Sequence, residues 1–333
     1  MGDGRRIEVH KFGGTSVGDA DRIAVDPAAV TAFAPATVAN LGPGLDVLGL
    51  ALAAPGDRVT ARLAPGRGVT IASVTGDGGA LPLDPATNTA GIAAEATLAK
   101  AGIATGVSLN VEKGMPIGSG LGSSAASAAA AAYAVNLLIG SPLRRVELVG
   151  PCLDAEAAVS GRHADNVAPA LLGGLILVRS IDPLDVVRLP LPEGLVVAVV
   201  TPKMELSTRA ARAALPKDVP LASLVRNTAH VAALVSACYT GDLGLLARSL
   251  TDAVATPARA PLIPGCAEVI EAALDAGALG SSISGAGPSI FALCRSERSA
   301  GEVAARMVGA FAANGLAAGA IVSPADCPGA RRV

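Results

Sequence analysis

The residues able to do chemistry in this 333-residue chain fall in a few short stretches. The densest is Pro116-Ile117-Gly118-Ser119-Gly120-Leu121-Gly122-Ser123-Ser124-Ala125-Ala126. Its glycines alternate with small residues and let backbone N–H groups approach a ligand closely. The alanine-rich run that follows, to Val135, is a strong helix former. A Gly-rich loop at a helix N-terminus offers free N–H groups and a favourable dipole to an anion, most often phosphate. Ser123 and Ser124 add hydroxyls for a phosphate oxygen or a magnesium ion. The competing reading is a Gly-rich turn before a buried helix. The stretch is not a Walker A loop, because no Gly-Lys-Ser/Thr follows. Nor does its glycine spacing match the dinucleotide fingerprint.

A second stretch, Pro35 to Leu52, carries Asn40 and Asp46 on a Gly/Pro turn between two apolar runs. Such residues stabilise turns locally. They also suit a loop that presents an amide and a carboxylate to a small polar ligand, and both readings stay open. His163-Ala164-Asp165-Asn166 sets a histidine beside an acid and an amide, ahead of an apolar strand at 175–178. A capped turn explains that group as well as a site does. Ser207–Arg212 begins a helix with Thr208 and Arg212 one turn apart on one face. Arg259 follows Pro257 closely. Glu156, on an Ala/Val-rich helix over 146–159, is either a solvated residue or a carboxylate serving a magnesium ion. Ser284-Gly285-Ala286-Gly287-Pro288 is a further Gly/Ser loop, feeding a buried strand.

Strands and helices must hold these side chains, and the pattern is that of an α+β chain. Strand-like runs occur at 30–34, ending at Pro35, and at 59–63, 69–72, 107–111, 175–178 and 195–201. Helical runs occur at 90–101, with a capping loop over 84–89, and at 125–135, 146–159, 222–239, 242–253, 269–276 and 300–313. A weak strand lies at 320–322. Asp182-Pro183 reads as a link, dividing the chain into domains 28–182 and 183–333 after an extension at 1–27.

Composition narrows the function. Apolar residues make up 51% of the chain, enough for a sizeable core, but aromatics are only 2%. Alanine, valine and leucine must therefore fill that core. The net charge of −2 and scattered Lys and Arg argue against a nucleic-acid or anionic-membrane surface. Few aromatics also means few base-stacking platforms. The five cysteines lie far apart without a Cys-x-x-Cys pair, which fits reduced thiols in a cytoplasmic protein. The charged N-terminus has no apolar signal region. The longest apolar stretch, around Ala125–Ile139, is short for a span and reads as a buried helix, so no membrane is expected.

Three Gly-rich motifs stand in order: the Asn/Asp loop at 35–50, the phosphate loop at 116–126 and the Ser-Gly-Ala-Gly-Pro loop at 284–288. Together with His163–Gly174, Ser207–Arg212 and Pro257–Gly265, this set resembles the GHMP small-molecule kinases over nearly all of 30–325. The ordered set is far more specific than any one loop. The resemblance implies a two-domain α+β GHMP kinase fold. Its N-terminal domain is of the ribosomal S5 domain 2 type, with a left-handed βαβ arrangement, and its C-terminal domain is ferredoxin-like. The site lies between them. The resemblance also implies transfer of the ATP γ-phosphate, with Mg²⁺, to a small alcohol. Within the family it points to the members whose acceptor is the side-chain hydroxyl of L-homoserine, on the route to threonine.

The same resemblance assigns roles to residues. Pro116, Ile117, Gly118, Ser119, Gly120, Leu121, Gly122, Ser123, Ser124, Ala125 and Ala126 wrap the triphosphate. Ser124 and Glu156 hold Mg²⁺, and Asn88 sits near the nucleotide base. Asp46 pairs with the substrate ammonium, while Arg212 and Arg259 hold its carboxylate. Asn40, His163 and Asn166 orient the substrate and its hydroxyl, and Thr208 lies close to the γ-phosphate. The catalytic set is thus Asn166, Thr208, Arg212 and Glu156. An amide cannot serve as a general base, so Asn166 positions the hydroxyl and the proton leaves late. Members are often dimers, so a homodimer is expected. Leu45 replaces the Phe usual in the first motif. Only Arg162 separates Gly161 from His163, and Thr256 stands where many relatives have Glu.

Ile7–Val17, with Lys11 before Gly13-Gly14-Thr15-Ser16, resembles the opening strand and phosphate loop of aspartate kinases, and reads as a fused extension. A GHMP kinase for another alcohol, or a catalytically silent nucleotide sensor on the same fold, remain alternatives. The charges of Asp46, Arg212 and Arg259 argue against an acceptor without an ammonium. The intact loop glycines and Glu156 argue against silence.

Overall fold

A computed structural model describes residues 29–333. The extension at 1–27 and its aspartate-kinase-like loop lie outside the described residues. The chain opens with β1 (Ala29–Ala39), β2 (Leu48–Ala64) and β3 (Gly68–Thr75), crosses through α1 (Thr89–Ala101) and returns as β4 (Gly106–Glu112). Helices α2 (Ser123–Leu138), α3 (Val149–Ala157) and α4 (Ala164–Leu172) lead to a hairpin, β5 (Leu175–Ile181) and β6 (Leu184–Leu189). The second half runs β7 (Val196–Pro202), α5 (Thr208–Ala213), α6 (Leu221–Thr240), α7 (Leu243–Ser249), α8 (Ala255–Arg259) and α9 (Cys266–Asp275). It closes with β8 (Gly280–Ile283), β9 (Ile290–Cys294), α10 (Glu297–Ala313), β10 (Ala318–Pro324) and β11 (Arg331–Arg332).

The first sheet has the order β11-β1-β2-β4-β3, with β5 on β2 and β6 on β5. Its β3–β4 pair is parallel, as the crossover through α1 requires. The second sheet is antiparallel in the order β10-β7-β9-β8. Taken in chain order those four strands stand 4-1-3-2, the ferredoxin-like arrangement.

Sequence pattern explains where the core sits. In β7, Val196, Ala198 and Val200 pack towards α9 and α10, while Val197 and Val199 face a central cluster shared with Leu48, Leu50 and Leu52 of β2. A strand apolar on both faces must be covered on both, and it is. The alanine run of α2 is buried between the first sheet and neighbouring helices. Small side chains let those elements approach closely, which is how a core poor in aromatics fills. All five cysteines are free and buried.

Several elements differ from the pattern reading. Asp182-Pro183 is not a link between units. It turns the β5–β6 hairpin, and β6 pairs with β5 in the first sheet. The chain crosses to the second sheet only after Leu189, and β11 returns to pair with β1. An Asp-Pro dipeptide marks a turn whatever flanks it; which strand comes next is decided by pairing at a distance. β1 passes through Pro35, with a register shift between Pro35 and Thr37 that absorbs the missing N–H. His163–Gly174 holds a helix, α4, rather than a turn. Pro169 sits inside it and cannot donate to the carbonyl of Asp165. Gly49 packs against that carbonyl so closely that a Cβ there would lie 1.7 Å from its oxygen. Residues 145–148 form a 3-10 turn ahead of α3. Among the described residues one helix, α6, is long and apolar enough to cross a membrane. Its Leu234, Ala237 and Cys238 are buried in the central cluster, and Asn227 donates to Asp252 at 3.0 Å.

Candidate active site

A cavity of about 320 Å³ opens between the two halves. One wall is the phosphate loop. Gly118, Gly120 and Gly122 all have positive φ, at 67°, 76° and 67°. Gly122 is the N-cap of α2, and no side chain caps the helix there, so its first N–H groups remain available to a ligand. The second half braces the loop. Ser284 Oγ donates to Gly120 O at 2.7 Å and Ser289 Oγ to Ser119 O at 2.6 Å. The fit is tight: a Cβ on Gly120 would lie 2.6 Å from Gly287 O and 2.7 Å from Ser284 O.

Under the loop lies a buried ion pair. The Lys113 ammonium donates to Asp57, to Ser123 O at 2.8 Å and to Ser127 Oγ at 2.8 Å. Asp57 also accepts from Ser127 Oγ at 2.7 Å and from the Gly114 N–H at 3.0 Å. Burial pulls the Lys113 pKa down, against the opposing charge of Asp57. Ser123 Oγ, in the cavity wall, is buried with no hydrogen-bond partner among the described residues.

Beside the loop, Ser124 Oγ donates to Glu156 Oε2 at 3.0 Å, and Ser160 Oγ donates to Oε1 of the same carboxylate. Glu156 is only 5% exposed. Burial raises its pKa, and the two serine hydroxyls oppose that rise without cancelling it.

The opposite wall is charged. Asn40 and Asp46 both adopt left-handed backbone, φ 71° and 61°. Asn40 Oδ1 accepts from the Asp46 N–H at 3.1 Å, and its Nδ2 donates to Gly285 O at 3.0 Å. The amide thus holds the turn, and the turn presents Asp46. Arg212 grips Asp46 with both ends of its fork, at 2.8 and 2.9 Å. Arg212 Nη2 also lies 2.9 Å from His163 Nε2. Burial pushes the Asp46 carboxyl up, but the Arg212 hydrogen bonds and the charges of His163, Arg212 and Arg259 together hold it below its usual value. Burial holds His163 below its usual pKa against the pull of Asp46, and Arg212 and Arg259 add to the lowering. Arg259 is 3% exposed and donates to Gly285 O at 2.7 Å. Burial and the neighbouring Arg212 depress its pKa.

Asn166 lies on α4 between the two walls, and its Oδ1 accepts from Thr37 Oγ1 at 2.7 Å. The preceding residue, Asp165, also lines the cavity. Burial and the negative charges of Asp46 and Glu156 raise its carboxyl to about 7.

Most residues singled out in the sequence meet here. Asn40, Asp46, Asn88, Ile117, Gly118, Ser119, Gly120, Gly122, Ser123, Ser124, Glu156, His163, Asn166, Thr208, Arg212 and Arg259 all line the cavity. Pro116, Leu121, Ala125 and Ala126 do not. Leu121 and Ala126 belong to the central core and Ala125 to the first, while the loop's serines and glycines line the cavity. Asn88 is an N-cap: its amide accepts from the Ala90 N–H at 3.0 Å and donates to Pro82 O at 2.8 Å. It shapes the wall with both ends of its amide committed. Arg162, the residue before His163, pairs outward with Asp154 at 2.9 Å. Sequence reasoning passed over Thr37, Lys113 and Ser160, and gave Asp165 no role of its own. Asp57, the lone acid of β2, was the one local signal that a buried cation lay near.

A Gly-rich loop at a helix N-terminus, facing a cleft with both signs of charge, is the architecture of a kinase for a small charged molecule. Residues 88–174 match the GHMP kinases N terminal domain, and residues 234–313 match the GHMP kinases C terminal domain. A homoserine kinase of Arabidopsis thaliana is 47% identical over 93% of this chain and 87% of its own length. One from Chlorobium phaeovibrioides is 47% identical over 91% of this chain and 98% of its own. The crystal structure of homoserine kinase from Cytophaga hutchinsonii superposes with a TM-score of 0.90 at 44% identity, covering 95% of this chain and all of that one. The galactose complex of Lactococcus lactis galactokinase, at 17% identity and a TM-score of 0.67, shares the fold. The chain belongs to the GHMP kinase family, ATP-dependent phosphotransferases acting on an alcohol, and within it to the homoserine kinases.

Proposed function

We propose that the chain transfers the γ-phosphoryl group of ATP to the side-chain hydroxyl of L-homoserine, giving O-phospho-L-homoserine. The observation that carries this reading is the Asp46–Arg212 pair, with Arg259 beside it, in the same cavity as the phosphate loop. An amino-acid acceptor brings an ammonium and a carboxylate, so its site needs both signs of charge. The ammonium replaces Arg212 at Asp46, and Arg212 and Arg259 take the carboxylate, for which the guanidinium fork is suited. His163, whose pKa burial lowers, packs beside this pair. Thr208, at the start of α5, faces the transferred group.

On the nucleotide side the free N–H groups of the loop and of α2 hold the phosphates. The orphaned hydroxyl of Ser123 gains an acceptor there. Ser124 and Glu156 suit Mg²⁺: a buried carboxylate without a cation partner, next to a hydroxyl, is a hard-oxygen donor set. Bound there, the ion would neutralise charge on the phosphate oxygens. Phosphoryl transfer needs positioning more than covalent chemistry. Asn166 supplies position, since an amide cannot take the hydroxyl proton. That proton leaves late, to phosphate.

The test is release of ADP from Mg-ATP with L-homoserine, mevalonate, L-aspartate and L-threonine offered separately, with the product identified by phosphorus NMR. Turnover with homoserine alone is expected. Turnover with mevalonate would overturn the zwitterion reading, and ATP binding without turnover of any acceptor would leave a nucleotide sensor.

A further inference from the structure

Thr37 has no exposed surface, and the reaction as described gives it no part. Its backbone N–H donates to Leu121 O in the phosphate loop at 3.0 Å. Its hydroxyl donates to Asn166 Oδ1 at 2.7 Å. Both oxygens crowd the α2 N-cap: a Cβ on Gly122 would lie 2.2 Å from Thr37 Oγ1 and 2.8 Å from Asn166 Oδ1. Resting on the phosphotransfer reading, we infer that Thr37 is a positioning residue, which turns the amide nitrogen of Asn166 towards the acceptor.

The polarity follows from hydrogen-bond arithmetic. A buried hydroxyl proton needs an acceptor. Were the amide reversed, its nitrogen would donate to Thr37 Oγ1, and the hydroxyl proton would have no acceptor among the described residues. With Oδ1 towards Thr37, the hydroxyl proton and the amide oxygen satisfy each other. The amide nitrogen, a donor only, is then left for the cavity. It donates to the acceptor hydroxyl oxygen, leaving one lone pair to attack phosphorus and directing the hydroxyl proton away from Asn166. Thr37 links that amide to the phosphate loop through Leu121, so acceptor and donor groups are set against one frame. The same polarity disfavours an acceptor that bears an ammonium in place of the hydroxyl, since two donors would face each other.

The experiment compares wild type, Thr37→Val and Thr37→Ser for turnover of L-homoserine and for inhibition by L-2,4-diaminobutyrate, which carries an amine where homoserine has its hydroxyl. Thr37→Val keeps the shape and removes the donor, so kcat falls about 30-fold while KM for ATP stays within about twofold. Thr37→Ser restores kcat to within about threefold of wild type. In Thr37→Val the amide is free to reverse, and diaminobutyrate binding tightens about tenfold relative to homoserine. A purely structural Thr37 would not change that selectivity. Should Thr37→Val not fold, Thr37→Ala makes the same test, since it also removes the hydroxyl donor and leaves the amide free to reverse. Wild-type kcat in Thr37→Val, a loss in Thr37→Ser as large as in Thr37→Val, or unchanged selectivity in the variant that folds would each overturn the inference. A wild type that turns over no homoserine would overturn the functional reading first.

Discussion

The two walls of the cavity are built by opposite means. In the proposed reading the phosphate wall is one continuous stretch, 116–126, that binds through its backbone. The acceptor wall takes Asp46 from a turn after β1, Asn166 from α4, Arg212 from α5 and Arg259 from α8, and in the same reading its side chains bind. A backbone site depends on the space around it; a side-chain site depends on charge balance. Disturbing the first should damage everything, whereas disturbing the second should damage one substrate.

Gly120→Ala should be the most severe. Its Cβ would meet carbonyl oxygens of Ser284 and Gly287 on the facing loop, at a φ of 76°. We expect kcat to fall about 1000-fold with a rise in KM for ATP, as the two halves part at the loop. Steady-state kinetics against both substrates would show it, and a loss confined to homoserine would break the contrast between the walls.

Lys113→Met should come next, now in stability. It leaves Asp57 buried without its cation, at a cost of about 3 kcal/mol. Thermal melts should place the double variant Lys113→Met/Asp57→Asn closer to wild type than Lys113→Met alone. Equal or greater damage in the double variant would mean the pair contributes more than mutual neutralisation.

Asp46→Asn should act on the acceptor only. Arg212 and the substrate ammonium both lose their partner, so kcat/KM for homoserine falls about 100-fold while KM for ATP stays within about twofold. An equal effect on ATP would mean the walls are coupled through Arg212.

Asp165 sharpens the comparison through pH. Folding raises its pKa from 3.8 to about 7, so folding favours the protonated carboxyl. Its contribution is complete below pH 4 and is lost as pH rises through 7. Between pH 5 and 7 this amounts to about 2 kcal/mol in the protein without ligands. Asp165→Asn should flatten that part of the stability–pH curve, read by chemical denaturation at each pH; an unchanged slope would assign the titration elsewhere.

How much of this was legible depends on distance along the chain. The phosphate loop was readable because glycines, serines and an alanine helix are neighbours and act as neighbours. The capping role of Asn88 was readable for the same reason. Asn40 was readable as a turn or as a ligand, and its amide holds the turn that carries Asp46 into the cavity. Asp182-Pro183 was misread, because a turn signal does not say which strands it joins. Thr37 and Lys113 were passed over, since their partners lie 129 and 56 residues away.

By itself the sequence determined the α+β class, the helix N-terminus offered to phosphate, and the presence of both charges needed for a zwitterion. Those follow from local propensity, glycine spacing and residue type. Only the tertiary structure decided that Arg212 closes on Asp46, that Asp57 neutralises Lys113 beneath the loop, and that the Thr37 hydroxyl faces Asn166. Each of these is a buried polar contact between distant segments. Burial sets its energy, and burial exists only once the two sheets have packed.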